Sequence, residues 1–355
     1  MARAAADPAD LRALLTRQPA PFQELSPAAR EELLSTAARH GLLAAVAGHL
    51  PADDPGLRTR FERLAAGARL RDARLREVLE EVLAALAAAG VVPVALKGPI
   101  LADRIYPDPA LRAATDLDLL VAADELERSA AALLGVGFRR GPPLVEEYQR
   151  RHLHHLQLLR TPGPDVELHF TPQSAFGARL PAKAFLARAL PHRTLRGTAL
   201  RVLAPEDELI ALAVHAAGHL LARGEWLLDL VLLVERHPDL DWRAVEDRSA
   251  AYGCRRALAH ALGRVRELGA PVPAGRLLAL DAGRRRLSAG LARAWRASRG
   301  RRAAALQMAF QLVLSDAPWR APGVVLVEAW WVLRRRAHLL ARLLTPRHRR
   351  LLGPR

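Results

Sequence analysis

Cysteine and lysine are nearly missing from this chain of 355 residues: Cys254 stands alone, and Lys97 and Lys183 are the two lysines. One cysteine excludes a disulfide framework and any metal knuckle built on paired thiolates, and it suits a reducing compartment. No run of about 18 uncharged apolar residues occurs, so no membrane-spanning helix is expected. The first residues carry Asp7 and Asp10 where a secretory leader needs an apolar centre. A cytoplasmic protein is therefore expected, touching a membrane at most through its surface. The hydrophobic content of 51% is ample for a packed core and excludes a disordered chain.

Positive charge, by contrast, is abundant. The formal net charge of +16 is carried almost wholly by arginine. Arginines gathered in one block would point to nucleic acid, because clustered cations neutralise phosphates. Here they are scattered along Ala- and Leu-rich segments, a pattern that does not favour such a partner.

The hydrophobic period divides the chain. Residues 1–89 read as an N-terminal helical region, with an N-cap serine before Pro27 and a long amphipathic segment stopping at Gly90. Residues 90–204 read as an α/β core: "VVPVAL" and "DLDLLV" as strands, "KGPILADRIY" as a turn entering a helix, "LHHLQLLR" and "VELHFT" as strands joined by "TPGPD". Residues 205–320 return to helices, and 321–355 form a basic amphipathic helix and tail that suits its own domain, an anionic membrane surface or a nucleic acid.

Within "LRAATDLDLLV", Asp116 and Asp118 lie two apart in a strand and share a face, while Leu117, Leu119 and Val121 take the other. Two carboxylates so placed repel, which raises the pKa of one or demands a cation. In "DVELHF", Glu167 stands on the polar side of a second strand. Were the two strands neighbours, Asp116, Asp118 and Glu167 would form an oxygen-rich nest suited to Mg²⁺ or Mn²⁺. Upstream, "ALKGPIL" sets Lys97 before Gly98, a turn that lets backbone and a compact charge approach a phosphate.

These stretches, "LKGPILADRIYPDPALRAATDLDLLV", "VELHF" and "HAAGHLLARGEWLLDLVLLV", resemble the uncharacterised nucleotidyltransferase family of the DNA polymerase beta superfamily, over about residues 30 to 280. The resemblance implies an α+β fold, with a polymerase-beta-like core flanked by helices. It implies transfer of a nucleoside monophosphate from a nucleoside triphosphate to an unidentified acceptor, with release of pyrophosphate. Carried over by residue, it implies that Asp116 and Asp118 hold two metal ions, with Glu167 completing the site, and it gives nucleotide binding to Lys97, Gly98 and Arg112, with His169 and His219 nearby. Pro99 stands where the wider superfamily has a serine, so a hydroxyl contact to phosphate is not implied. A catalytically silent nucleotide-binding scaffold and an RNA-directed transferase are the alternatives. His215 and His219, four apart on a helix, admit a helix-packing role with His219 bonded to Asp229; a zinc site would need further ligands.

Overall fold

The computed structural model describes residues 14–15, 22–23, 25–175, 178–273, 275 and 280–320. The basic helix and tail expected over 321–355 lies outside the described residues.

Capping chemistry sets the first helices. The Ser26 hydroxyl accepts from the Ala29 N–H at the start of α1 (Pro27–Arg39), where Pro27 costs nothing because its missing N–H would have no helical partner. Gly41, at φ +72°, turns the chain into α2 (Leu43–Ala47). Asp54 caps α3 (Pro55–Ala88) by accepting from the Leu57 N–H. The chain then enters a mixed region: β1 (Val94–Ala95), α4 (Gly98–Ile105), β2 (Asp116–Leu120), α5 (Leu126–Gly135), β3 (Arg139–Arg140), α6 (Pro143–Tyr148), β4 (His155–Leu159) and β5 (Asp165–His169). A small hairpin, β6 (Ser174–Ala175) and β7 (Ala178–Arg179), precedes α7 (Ala182–Arg188), β8 (Leu190–Arg193) and β9 (Ala199–Val202). Among the described residues six α-helices follow: α8 (Pro205–Gly218), α9 (Gly224–Arg236), α10 (Trp242–Ala251), α11 (Arg255–Glu267), α12 (Ala282–Arg296) and α13 (Gly300–Leu314).

Seven strands form one mixed sheet in the order β3-β4-β5-β2-β1-β9-β8. β2 pairs in parallel with β5, and β1 with β9; the other pairs are antiparallel. The fold is thus α+β, as expected, with a nucleus narrower than the sequence pattern: "VVPVAL" supplies a strand of Val94 and Ala95 alone.

The two faces of the sheet differ. On the back face Leu117, Leu119, Leu156, Leu158, Val166 and Leu168 pack against the second half of α3 and against α5. Each such side chain contributes roughly 1.5–3 kcal/mol on burial, and a slip of one residue would turn this whole set outward. The front face closes at Val94 and Leu120, which join one core with α1, α4, α8, α9 and α11. The helices on either side of the α/β region therefore wall the sheet in, and the polar positions of β2, β4 and β5 open onto a cavity between them.

Candidate active site

That cavity has a volume of about 490 Å³ and is floored by Asp116, Asp118, His155, Glu167 and His169. Its floor follows from strand register. Asp118 is the parallel partner of Glu167, so both carboxylates leave the sheet on one side, with Asp116 two residues before. His155 is the antiparallel partner of His169 and joins them from β4. The three acids expected to converge do so.

The positive charge that the aspartates require is Lys97, whose Nζ lies 3.0 Å from Asp118 Oδ1. His169 Nε2 approaches the same oxygen at 3.1 Å and Glu167 Oε2 at 3.3 Å. Burial alone would raise the Asp118 carboxyl, but Lys97 and His169 outweigh it and hold it far below the carboxylate range. Asp116 moves the other way: burial and the neighbouring Asp118 charge raise it, and Lys97 offsets only part. For His169 burial favours the neutral ring, yet its bonds to Asp118 and Glu167 prevail and raise its pKa. His155 is pushed down to about 4 by burial and by His169. Oxygen donors on adjacent strands, in excess of the nearby positive charge, are a donor set that fits a divalent cation.

Gly98 stands on the rim and opens α4 with φ +74°, a conformation that side chains rarely adopt. It brings Lys97 over the end of β2, where the Leu96 N–H bonds the Asp118 carbonyl at 3.0 Å.

Arg112 also lines the cavity but is not a free cation. Its Nε and Nη2 donate to Asp229 Oδ1 and Oδ2 at 2.8 and 2.9 Å, and Tyr106 Oη donates to the same carboxylate at 2.7 Å. The pair ties the loop before β2 to α9 and places Arg112, expected to contact phosphate, in the cavity wall with Nε and Nη2 engaged. Asp229, taken up in this way, is not the partner of His219.

The helix expected through His219 ends at Gly218, because Leu220 and Leu221 adopt φ of +57° and +51°. The resulting turn brings His219, Arg223 and Trp226 to the cavity wall. His215, His219 and Trp226 form a three-ring cluster with centroids 4.8 to 5.3 Å apart. Arg223 donates to Glu225 at 2.8 Å, and its Nε lacks a partner among the described residues. Burial pushes Glu225 up to about 7.

Sequence reasoning missed His155, Arg223, Glu225 and Trp226. The signal for His155 lay in strand alternation through the hairpin, which puts it on the face of Gln157; the register centred on Pro162 then pairs Gln157 with Glu167 and His155 with His169. Nothing comparable marked the other three, whose place depends on the left-handed turn.

The family model described as uncharacterised nucleotidyltransferase matches residues 26–270. Among solved structures, the chain is similar to an antigenic nucleotidyltransferase-like protein from Paracoccidioides brasiliensis, with 16% identity and a TM-score of 0.37, over 57% of this chain and 95% of that one. Comparison with curated proteins finds no match. The family match spans well over half of the sequence, and the chain belongs to this uncharacterised nucleotidyltransferase family.

Proposed function

We propose that the chain transfers a nucleoside monophosphate from a nucleoside triphosphate to an acceptor, using a divalent cation, Mg²⁺ or Mn²⁺, held by Asp116, Asp118 and Glu167. The observation that carries this reading is the in-register pairing of Asp118 with Glu167, beside Asp116, on the floor of a cavity rimmed by Lys97 and Gly98. When bound there, the cation would stabilise charge on the attacking and leaving oxygens.

The acceptor oxygen gives up its proton to solvent and forms a bond to the α-phosphorus. The bond from that phosphorus to the bridging oxygen breaks, and pyrophosphate leaves with the electron pair. Lys97 can pass from Asp118 to a phosphate oxygen, since a lysine ammonium is a compact charge on a flexible stem. Arg223, with Nε unpartnered among the described residues, is a second cation to face the nucleotide. Arg112, fixed by Asp229, keeps the loop before Asp116 in place. His169, bonded to Asp118 and Glu167, orients the acids. His219 is kept neutral by burial and by Lys97 and stands on the acceptor side, where the ring cluster with Trp226 offers a stacking surface. A cytoplasmic location suits the single, buried cysteine, and no helix among the described residues is long and apolar enough to cross a membrane.

Calorimetric titration of each nucleoside triphosphate, with and without Mg²⁺, on the native chain and on Asp118→Asn tests the reading. Binding that needs both the ion and Asp118 supports it and names the base. Binding indifferent to both would remove the metal-dependent mechanism and leave a nucleotide-binding scaffold.

A further inference from the structure

The face of the sheet that carries Glu167 carries two imidazoles as well. His155 and His169 are directly opposite in the antiparallel ladder, so both rings leave the same side, 5.0 Å apart. Glu167 Oε2 lies 3.3 Å from His169 Nε2 and 3.7 Å from His155 Nδ1. One donor atom from each of the three residues falls within 4.8 Å of the others. Both histidine side chains are largely shielded, at 13% and 8% exposure, yet both line the cavity.

Two imidazole nitrogens and one carboxylate oxygen around a common point, with the cavity on the open side, are the ligands of a divalent transition ion that keeps free positions for substrate. Mg²⁺ prefers oxygen throughout and gains little from imidazole. A purely carboxylate site would have no use for His155, which lies on the far strand from Asp116 and Asp118.

We propose that His155, Glu167 and His169 form a nitrogen-rich metal position beside the two aspartates, which gives the chain a preference for a first-row transition ion over Mg²⁺. The use of that ion in transfer rests on the nucleotidyltransferase reading; its binding does not. Asp118 Oδ1, 3.1 Å from His169 Nε2, is placed to share an ion between this position and Asp116.

The test uses the full chain loaded with Mn²⁺ in a large excess of Mg²⁺, with pulsed electron paramagnetic resonance reading nitrogen couplings. Two imidazole couplings are expected in the native chain. His155→Gln should remove one and weaken Mn²⁺ binding about 10-fold or more, while Asp116→Asn should keep both. Circular dichroism checks that His155→Gln is folded, and the native spectrum stands without any variant. Absence of nitrogen coupling in the native chain, or couplings unchanged in folded His155→Gln, would overturn the proposal. Metal-dependent nucleotide binding without nitrogen coupling would sink this site and spare the transfer reading. Nitrogen coupling without nucleotide binding under any ion would support this site and count against transfer.

Discussion

Asp118 and Glu167 stand opposite each other across the parallel β2–β5 ladder, and one imidazole, His169, reaches both carboxylates at 3.1 and 3.3 Å. Charge of both signs is thus interleaved on the floor of the cavity. The two aspartates nevertheless occupy different electrostatic positions, although they look equivalent in "DLD".

Asp118 is almost fully buried and holds Lys97; the Asp116 side chain is partly exposed, bonds only Thr115 among the described residues, and is repelled by Asp118. Asp118→Ala should therefore cost about 3 kcal/mol, because it leaves a shielded ammonium without its partner. Asp116→Asn should change stability by less than about 1 kcal/mol, since it relieves a like-charge contact. Both variants should lose transfer by at least about 1000-fold, as both donors serve the same charge in the transition state. Urea midpoints and a labelled-nucleotide assay on the two proteins check the split; equal destabilisation would mean that the acids form a structural pair.

Gly98→Ala isolates the turn. A Cβ there meets only the Asp116 carbonyl at 3.7 Å, an ordinary contact, so space is not the obstacle. The obstacle is φ of +74°, which costs a side chain roughly 1–2 kcal/mol. The backbone is expected to relax toward negative φ and carry Lys97 away from Asp118. Nucleotide affinity should fall about 10-fold or more, while thermal unfolding shifts by only a few degrees. Calorimetry and a melting curve on the same sample read both quantities.

The acid cluster was legible in the sequence because its parts are short-range. Alternation places Asp116 and Asp118 on one face, and "TPGPD" fixes the hairpin that delivers Glu167. The step from two strands to one site, the parallel pairing of β2 with β5, is not local and came only through the resemblance. The ion pair of Arg112 was illegible for the same reason: its partner Asp229 lies 117 residues away, and no local pattern shows that pairing. The α8–α9 turn escaped because two leucines adopt positive φ, which a propensity-based reading assigns to glycine or asparagine. That turn presents Arg223 and Trp226 to the cavity.

The Arg112–Asp229 pair is expected to behave as a buried unit. Asp229→Ala strands both the guanidinium and the Tyr106 hydroxyl, and should destabilise by about 3–5 kcal/mol. Replacing both partners together, Arg112→Met with Asp229→Leu, should recover most of that loss, because no uncompensated charge remains. Nucleotide binding should weaken in the double variant all the same if the pair positions the loop from Arg112 to Thr115. A denaturation-based double-mutant cycle measures the coupling, and calorimetry on the double variant separates the positioning role from the stabilising one.

One buried histidine far from the site should carry an acid-dependent loss of stability of its own. His260 on α11 lies edge-on to Phe310 at 5.3 Å, with Ser288 Oγ 3.4 Å from its Nδ1. Burial, aided by Arg264, holds its pKa down at about 4, against the ordinary 6.5. Between those values the unfolded chain binds a proton that the folded chain refuses. Stability present above pH 6.5 is therefore lost as the pH falls toward 4, by up to about 3 kcal/mol from this residue. Burial lowers His40, His49, His192 and His237 in the same direction, while Glu225, raised to about 7, and His169, raised by its bonds to Asp118 and Glu167, oppose them, so the share of His260 is read as the difference between the native chain and a His260 variant. His260→Gln, which keeps a partner for Ser288 but cannot take up the proton, should flatten the decline of the urea midpoint between pH 6.5 and 4. An unchanged slope would mean that the packing of α11 on α13 opens to admit the charged ring before the chain unfolds.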